Sequence, residues 1–250
     1  MSAVPAPDAG LGEAAAFVGK HRARWPEWEI AAVYLPPAQR PLAAAWLALL
    51  QELGDAAWGG EDPTPGQAKL AWWQEELQGW SAGRRRHPLG RALLPHGPIP
   101  WAALAGGLPA LAASHERPAD STAAISLPGP FAVAAAEVEA ALLGAGAAAA
   151  SSGDLASALL SERLLHHRAQ AVPLQLQAQF GAAAAAAWAN ALLSSWPRGT
   201  PVARARRLQA MLQRARLRQL ASGVEAPAPL SRWSTLWRGW RAARADSARD

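Results

Sequence analysis

The chain has 250 residues, enough for one large domain with a sizeable core or two small ones. Half of its side chains are apolar (51%), which excludes disorder of the chain as a whole. Cysteine is absent, so disulfides, thiolate metal sites and cysteine nucleophiles are excluded, and the formal charge of +5 comes almost wholly from arginine: of 24 basic residues only Lys20 and Lys69 are lysine.

An Ala/Arg-rich, Lys-poor composition reads as the product of a GC-rich, bacterial genome. The first twelve residues lack a charged segment followed by an apolar run, so no signal peptide is expected. No run is long and greasy enough to span a bilayer; the best, Ala182–Ala189, is mostly alanine and short. A cytoplasmic location is expected, with contact at the inner face of the membrane as an option for the basic end of the chain.

Strand formers are scarce and alternation is weak, whereas Ala, Leu, Gln, Glu and Arg favour helix, so the chain reads as all-α. A disordered start (1–11) precedes a short helix over Gly12–Arg24. A long helix over Ala38–Trp58 follows the double proline Pro36-Pro37. The next, Pro65–Ala82, carries Trp72 and Trp73; adjacent indoles point about 100° apart, so both are expected in the core and the helix covered over a broad arc. Glu75 and Glu76 are placed on its polar side. The cluster Arg84-Arg85-Arg86 reads equally as a phosphate-attracting or a solvated loop. His87 before Pro88 reads as a cap or turn.

Further along come an apolar helix over Trp101–His115 and an amphipathic one over Phe131–Leu143, with Glu137 and Glu139 on its wetter side. A helix over Asp154–Ala169 follows, with Asp154 as N-cap. An Ala-rich helix covers Gln175–Ser195. A basic one, Val202–Ala221, has Leu208, Met211, Leu212 and Leu217 on one stripe. Residues 12–222 thus read as one all-α domain, and 223–250 as a basic tail carrying Trp233, Trp237 and Trp240. The segments Ala145–Ala150 and Ala182–Ala187 are low in complexity, and no repeat of fixed period is present.

Three segments carry a family resemblance. Tyr34-Leu35-Pro36-Pro37-Ala38-Gln39-Arg40 continues through Ala45–Leu49. Leu70-Ala71-Trp72-Trp73-Gln74-Glu75-Glu76-Leu77 is followed by His87-Pro88-Leu89. Leu159–Arg168 ends in Val172-Pro173-Leu174. Together they resemble the squalene/phytoene synthase family over about residues 17–220. The resemblance implies an isoprenoid-synthase-like helical bundle around a central cavity. It also implies two aspartate-rich motifs that hold Mg²⁺ and, through it, prenyl diphosphates for head-to-head coupling. Magnesium wants octahedral oxygen ligands, and carboxylates four residues apart on a helix reach one ion cluster.

This chain departs from that pattern at the motifs. Gly54 and Trp58 stand where the first motif has its outer aspartates, leaving Asp55, with Glu52 sharing its face. Glu162 and His166 stand at the second. A Glu/His pair suits transition ions better than Mg²⁺. The residues expected to form a vestigial metal site are therefore Glu52, Asp55 and Glu162. Those the resemblance makes candidates for substrate contact are Tyr34, Arg40, Trp73, His166 and Arg168. Asp55 needs either a structural partner, such as Arg40 or Arg168, or a binding role. His166 and His167 read as an ordinary helix-face pair, since no third ligand accompanies them.

The reading that follows is a squalene/phytoene synthase-like protein that has lost its Mg²⁺–diphosphate site and needs no cofactor. It would bind an isoprenoid or lipid, or act as an assembly or accessory protein, as catalytically degenerate relatives do for respiratory complexes. Two alternatives stay open. One is an active prenyl transferase with Mg²⁺ held by Glu52, Asp55 and Glu162. The other is a basic adaptor for nucleic acid or anionic membrane. Nucleic acid is disfavoured, because nothing in the arginine-rich end supports a recognition helix. No glycine-rich nucleotide loop, nucleophile elbow or zinc-protease motif is present.

Overall fold

Alanine, leucine and tryptophan crowd the helix Gln39–Trp58 (α3), and 15 of its 20 residues are buried, which makes it the axis of the bundle. The structure is a computed structural model; its described residues are 9–144, 152–197 and 203–244. It is 79% helical, with no strand among the described residues. This is the all-α class expected. In chain order the remaining elements are α1 (Ala9–Arg24), α2 (Trp28–Ala31), α4 (Pro63–Ser81), α5 (Pro88–Leu93), α6 (Trp101–Ala113), α7 (Ser121–Ser126), α8 (Gly129–Leu143), α9 (Ser152–Ala171), α10 (Leu174–Phe180), α11 (Ala184–Ser195), α12 (Arg204–Ala221) and α13 (Arg232–Arg244). Short 3₁₀ turns at Ala32–Tyr34, Leu94–His96 and Gly181–Ala183 join some of them.

Helices α1, α4, α5, α8 and α9 surround α3; α6 lies between α4 and α8, and α11 and α12 close the far side against α9. The stretch Ser121–Leu143 is the one described run long and apolar enough to cross a bilayer by composition, where none was expected. Half of it is buried in the bundle, and it is interrupted at Leu127-Pro128, so it packs as core.

Local chemistry sets the helix starts. Asp62 accepts from Thr64 N (2.9 Å) ahead of Pro63. His87 caps α5 as anticipated, its Nδ1 accepting from Leu89 N (3.2 Å). The expected disordered start falls largely on residues 1–8, outside the described residues; α1 already begins at Ala9. The run Ala145–Ala150 and Val202, the first residue of the expected basic helix, also lie outside them.

Four local expectations need correction. The helix expected over Gln175–Ser195 is two: the chain breaks at Gly181, whose positive φ (+52°) a helix interior does not allow. Asp154 is no cap. The helix starts at Ser152, which puts Asp154 inside the first turn and toward α11, where it accepts from Trp196 Nε1 (2.9 Å). Of the tryptophan pair only Trp73 is core (1% exposed). Trp72 keeps 37% of its surface, so the covered arc is narrower than the sequence implies. Finally, Glu76 and Glu139 are not solvated. Each is a buried acceptor for an indole N–H and an arginine.

Glu76 organises the loop after α4. Its carboxylate accepts from Trp80 Nε1 (2.8 Å), Arg86 N (2.6 Å), His87 N (2.7 Å) and Arg86 Nε (2.9 Å). Burial alone would raise its pKa, but these donors outweigh it and hold the group below the usual range. The loop so fixed seats His87 against Trp73 (centroids 4.4 Å), and Trp73, Trp80 and Trp101 continue as an edge-to-face ladder. Glu76→Ala is expected to destabilise the fold by about 1–3 kcal/mol, because buried donors lose their acceptor. Glu75→Ala, at an exposed site, should shift the urea midpoint little.

Candidate functional site

The bundle's central cavity lies between α1, α3, α9 and α12. Leu47, Leu50, Leu155 and Leu159 form its apolar wall, and Asp55, Glu162, His167, His21, Gln209 and Gln213 its polar one. Its volume is about 30 Å³. A buried water needs about 10–15 Å³ on that measure, so two or three waters would fill it. Ligand pockets run to about 300–1,000 Å³. Large side chains fill the space, among them Trp58, Arg24, Arg206, Gln209 and Gln213, and of the lining only Gly54 and Ala158 are small enough to leave room.

Asp55 and Glu162 reach this one cavity, as the resemblance implies for the two motifs, but each arrives with a nitrogen partner, an arginine for Asp55 and a histidine for Glu162. Asp55 takes a two-pronged ion pair from Arg24 on α1, Nη1 to Oδ1 at 2.9 Å and Nη2 to Oδ2 at 3.1 Å. Neither expected partner is used. Arg40 donates to Leu35 O (3.1 Å) and Val33 O (3.0 Å), and Arg168, at a kink in α9, donates to Glu225 O. Glu162 pairs with His166 Nε2 (3.2 Å) one turn on, and accepts from Gln213 Nε2 (3.0 Å). Burial alone would raise the Glu162 pKa. The hydrogen bond and charge of His166, the Arg24 charge and the Gln213 amide outweigh it and bring it down to about 2.

Glu52 does not line the cavity. It lies between Lys20 Nζ (2.9 Å) and Lys69 Nζ (3.1 Å), whose bonds and charges hold its pKa low against the opposing effect of burial. Tyr34 lies elsewhere, donating to Leu236 O (2.8 Å) on α13. Trp73 belongs to the indole ladder, and Arg40 and Arg168 hold backbone carbonyls. Among the described residues no group of three or more His, Asp or Glu side chains is arranged to hold a metal ion.

Gly54 and Trp58, on either side of Asp55, pack against one another. Trp58 is buried (3% exposed), donates to Ser114 Oγ (2.9 Å), and lays its ring against Gly54. A Cβ on Gly54 would meet that ring at 3.0 Å, so any larger residue there requires the Trp58 indole to shift.

The sequence did not single out His21, Arg24, Gln209 and Gln213. The last two were legible in principle: they stand four apart on α12, directly after Leu208 and Leu212 of the apolar stripe, so amides on the buried side were implied. His21 is 2% exposed, contacts Gln51 Oε1 through Nδ1 (3.3 Å), and is pushed down to about 4, chiefly by burial. His167 is lowered too, by burial first and by the positive charges of His166, Arg24 and Arg163, with Asp55 opposing. His21 Nε2, Gln209 Oε1 and Gln213 Oε1 have no protein partner.

No family model matches the sequence, and no curated protein does. Solved structures do. One is a dehydrosqualene synthase in complex with ligand, with a TM-score of 0.68 and 14% identity, covering 97% of this chain and 100% of that one. Another is squalene synthase HpnC from Alicyclobacillus acidocaldarius, with a TM-score of 0.57 and 15% identity, covering 89% and 97%. The chain therefore has the all-α isoprenoid-synthase fold of squalene synthase-like structures.

Proposed function

We propose that this protein is a squalene/phytoene synthase-like bundle that has given up Mg²⁺–diphosphate chemistry and serves a non-catalytic, accessory or assembly role. The observation that carries this reading is the state of the three candidate carboxylates. Asp55 is taken by Arg24, Glu52 by two lysines and Glu162 by His166, so no pair of free carboxylates faces a common point. Magnesium needs converging, unneutralised oxygens; this donor set does not fit it. The cavity volume points the same way, since about 30 Å³ beside Asp55 and Glu162 has no room for a prenyl chain.

A surviving prenyl transferase is the competing reading, favoured by the meeting of Asp55 and Glu162 at one cavity. The full chain incubated with farnesyl or geranylgeranyl diphosphate and Mg²⁺ is expected to release no pyrophosphate above a protein-free blank. Release that disappears in Asp55→Ala would overturn the non-catalytic reading.

A further inference from the structure

Helix α13 is built with two unlike faces. Thr235 and Gly239 are buried. Gly239 lies so close to Tyr34 that a Cβ would meet the ring at 2.8 Å, which only glycine permits. Tyr34 donates to Leu236 O, and Arg207 Nε donates to Ala242 O (3.1 Å), so the helix is tied to α12 and to the 3₁₀ turn at Ala32–Tyr34. The opposite face carries Trp233, Trp237 and Trp240, exposed by 83%, 61% and 39%. Their spacing of four and three residues places them on one stripe. Trp237 and Trp240 stack at 5.3 Å, and the Arg244 guanidinium lies 4.8 Å from the Trp240 ring centre.

Arginines flank the stripe. Arg232, Arg238 and Arg241 lie to its sides, and α13 contains no acidic residue. Among the described residues none of Arg218, Arg232, Arg238, Arg241 and Arg244 has a carboxylate partner within ion-pair distance. Arg218 of α12 is exposed, and burial of its stem together with the nearby Arg214 and Arg238 lowers its pKa, so like charges gather beside the stripe.

We propose that α13 docks this protein on an anionic lipid surface, the Trp233–Trp237–Trp240 stripe entering the headgroup layer while the flanking arginines meet lipid phosphates. The charge and the indoles choose this partner together. Indoles are favoured at the level of lipid headgroups, and guanidiniums beside them are drawn to anionic lipid. An apolar protein surface would leave these arginines unmatched, and duplex DNA would leave the indoles without a reason. The proposal stands whether or not the bundle retains catalysis.

The test is co-sedimentation of the full chain with phosphatidylcholine vesicles, with and without phosphatidylglycerol, at low and high salt. Strong binding to the anionic vesicles and weak binding to the neutral ones is expected. The variant W233S/W237S/W240S should lose tenfold or more in affinity while keeping its helix content, since the buried face of α13 at Thr235 and Gly239 is untouched. R232Q/R238Q/R241Q, which keeps every indole, should lose the preference for anionic over neutral vesicles. The proposal is overturned by an absence of vesicle binding, by binding that the tryptophan variant retains, or by a preference the arginine variant retains. Binding to duplex DNA as tight as to vesicles, insensitive to the tryptophan changes, overturns it in favour of nucleic acid.

Discussion

Glu139→Ala is expected to destabilise the bundle by about 3–5 kcal/mol, read from urea unfolding at constant pH, because it strands a buried guanidinium. The Glu139 carboxylate on α8 accepts from Arg206 Nε of α12 (3.1 and 3.0 Å), from Arg206 Nη2, and from Trp46 Nε1 of α3 (2.7 Å). All three side chains are buried. The residues come from three different helices, so the pair fixes how α3, α8 and α12 sit together. Its effect is one of penalty more than reward. An ion pair of this kind gains little over an apolar replacement of the same shape, whereas breaking it leaves a charge in low dielectric. The double variant Glu139→Leu/Arg206→Met should therefore recover most of what either single change loses, short of about 1 kcal/mol for the Trp46 N–H left without an acceptor. Additive losses in the double variant would show that the two side chains act independently, and would remove the stranded charge as the cause.

His21 should make stability fall by about 3 kcal/mol as pH drops from 6.5 to 4, a contribution that should vanish in His21→Gln and to which His87 and His167, also lowered by burial, add their own. His21 titrates near 6.5 in the unfolded chain and near 4 in the fold, because burial disfavours the imidazolium. Above pH 6.5 both states hold neutral imidazole and pH has no effect through this group. Below it the unfolded state takes up a proton that the native state refuses, so unfolding is favoured until about pH 4. Glu162 extends the trend. Its folded pKa of about 2 lies below the unfolded 4.5, so the stability it adds is complete above 4.5 and is lost as pH falls toward 2. Urea midpoints across this range for the parent chain and for His21→Gln give the measurement. A parallel pair of curves would remove His21 as the cause.

The class of fold was legible because period and propensity agree over long stretches: α3, α4, α6 and α12 lie within a few residues of where composition and proline spacing put them. What was not legible is the fate of single charges. Glu76 and Glu139 read as solvated because a helix turns a carboxylate outward unless some distant donor claims it. Their donors, Arg86 and Arg206, lie 10 and 67 residues away. The same holds for Asp55: the sequence correctly demanded a partner, but Arg24 is 31 residues distant and nothing local distinguishes it from Arg40. The candidate site was half legible. The meeting of Asp55 and Glu162 follows from the resemblance, whereas the small size of the cavity depends on side chains from α1 and α12, Arg24, Arg206, Gln209 and Gln213, which no local pattern directs there. Short elements such as α2 and α7, fixed by a turn or a single cap, left too brief a pattern to read.

Glu27 is buried just before α2, and its carboxylate is satisfied by Arg216 and by the backbone N–H of Leu230, about two hundred positions later. Tyr34 likewise waits for Leu236. At ribosomal speeds of about 5–20 residues per second, the opening segment spends about 10–40 s outside the exit tunnel before either partner has been made. A nascent chain stalled at residue 200 therefore holds an unclaimed carboxylate and should leave its first helices open to protease, and the bundle locks only when its last helices emerge.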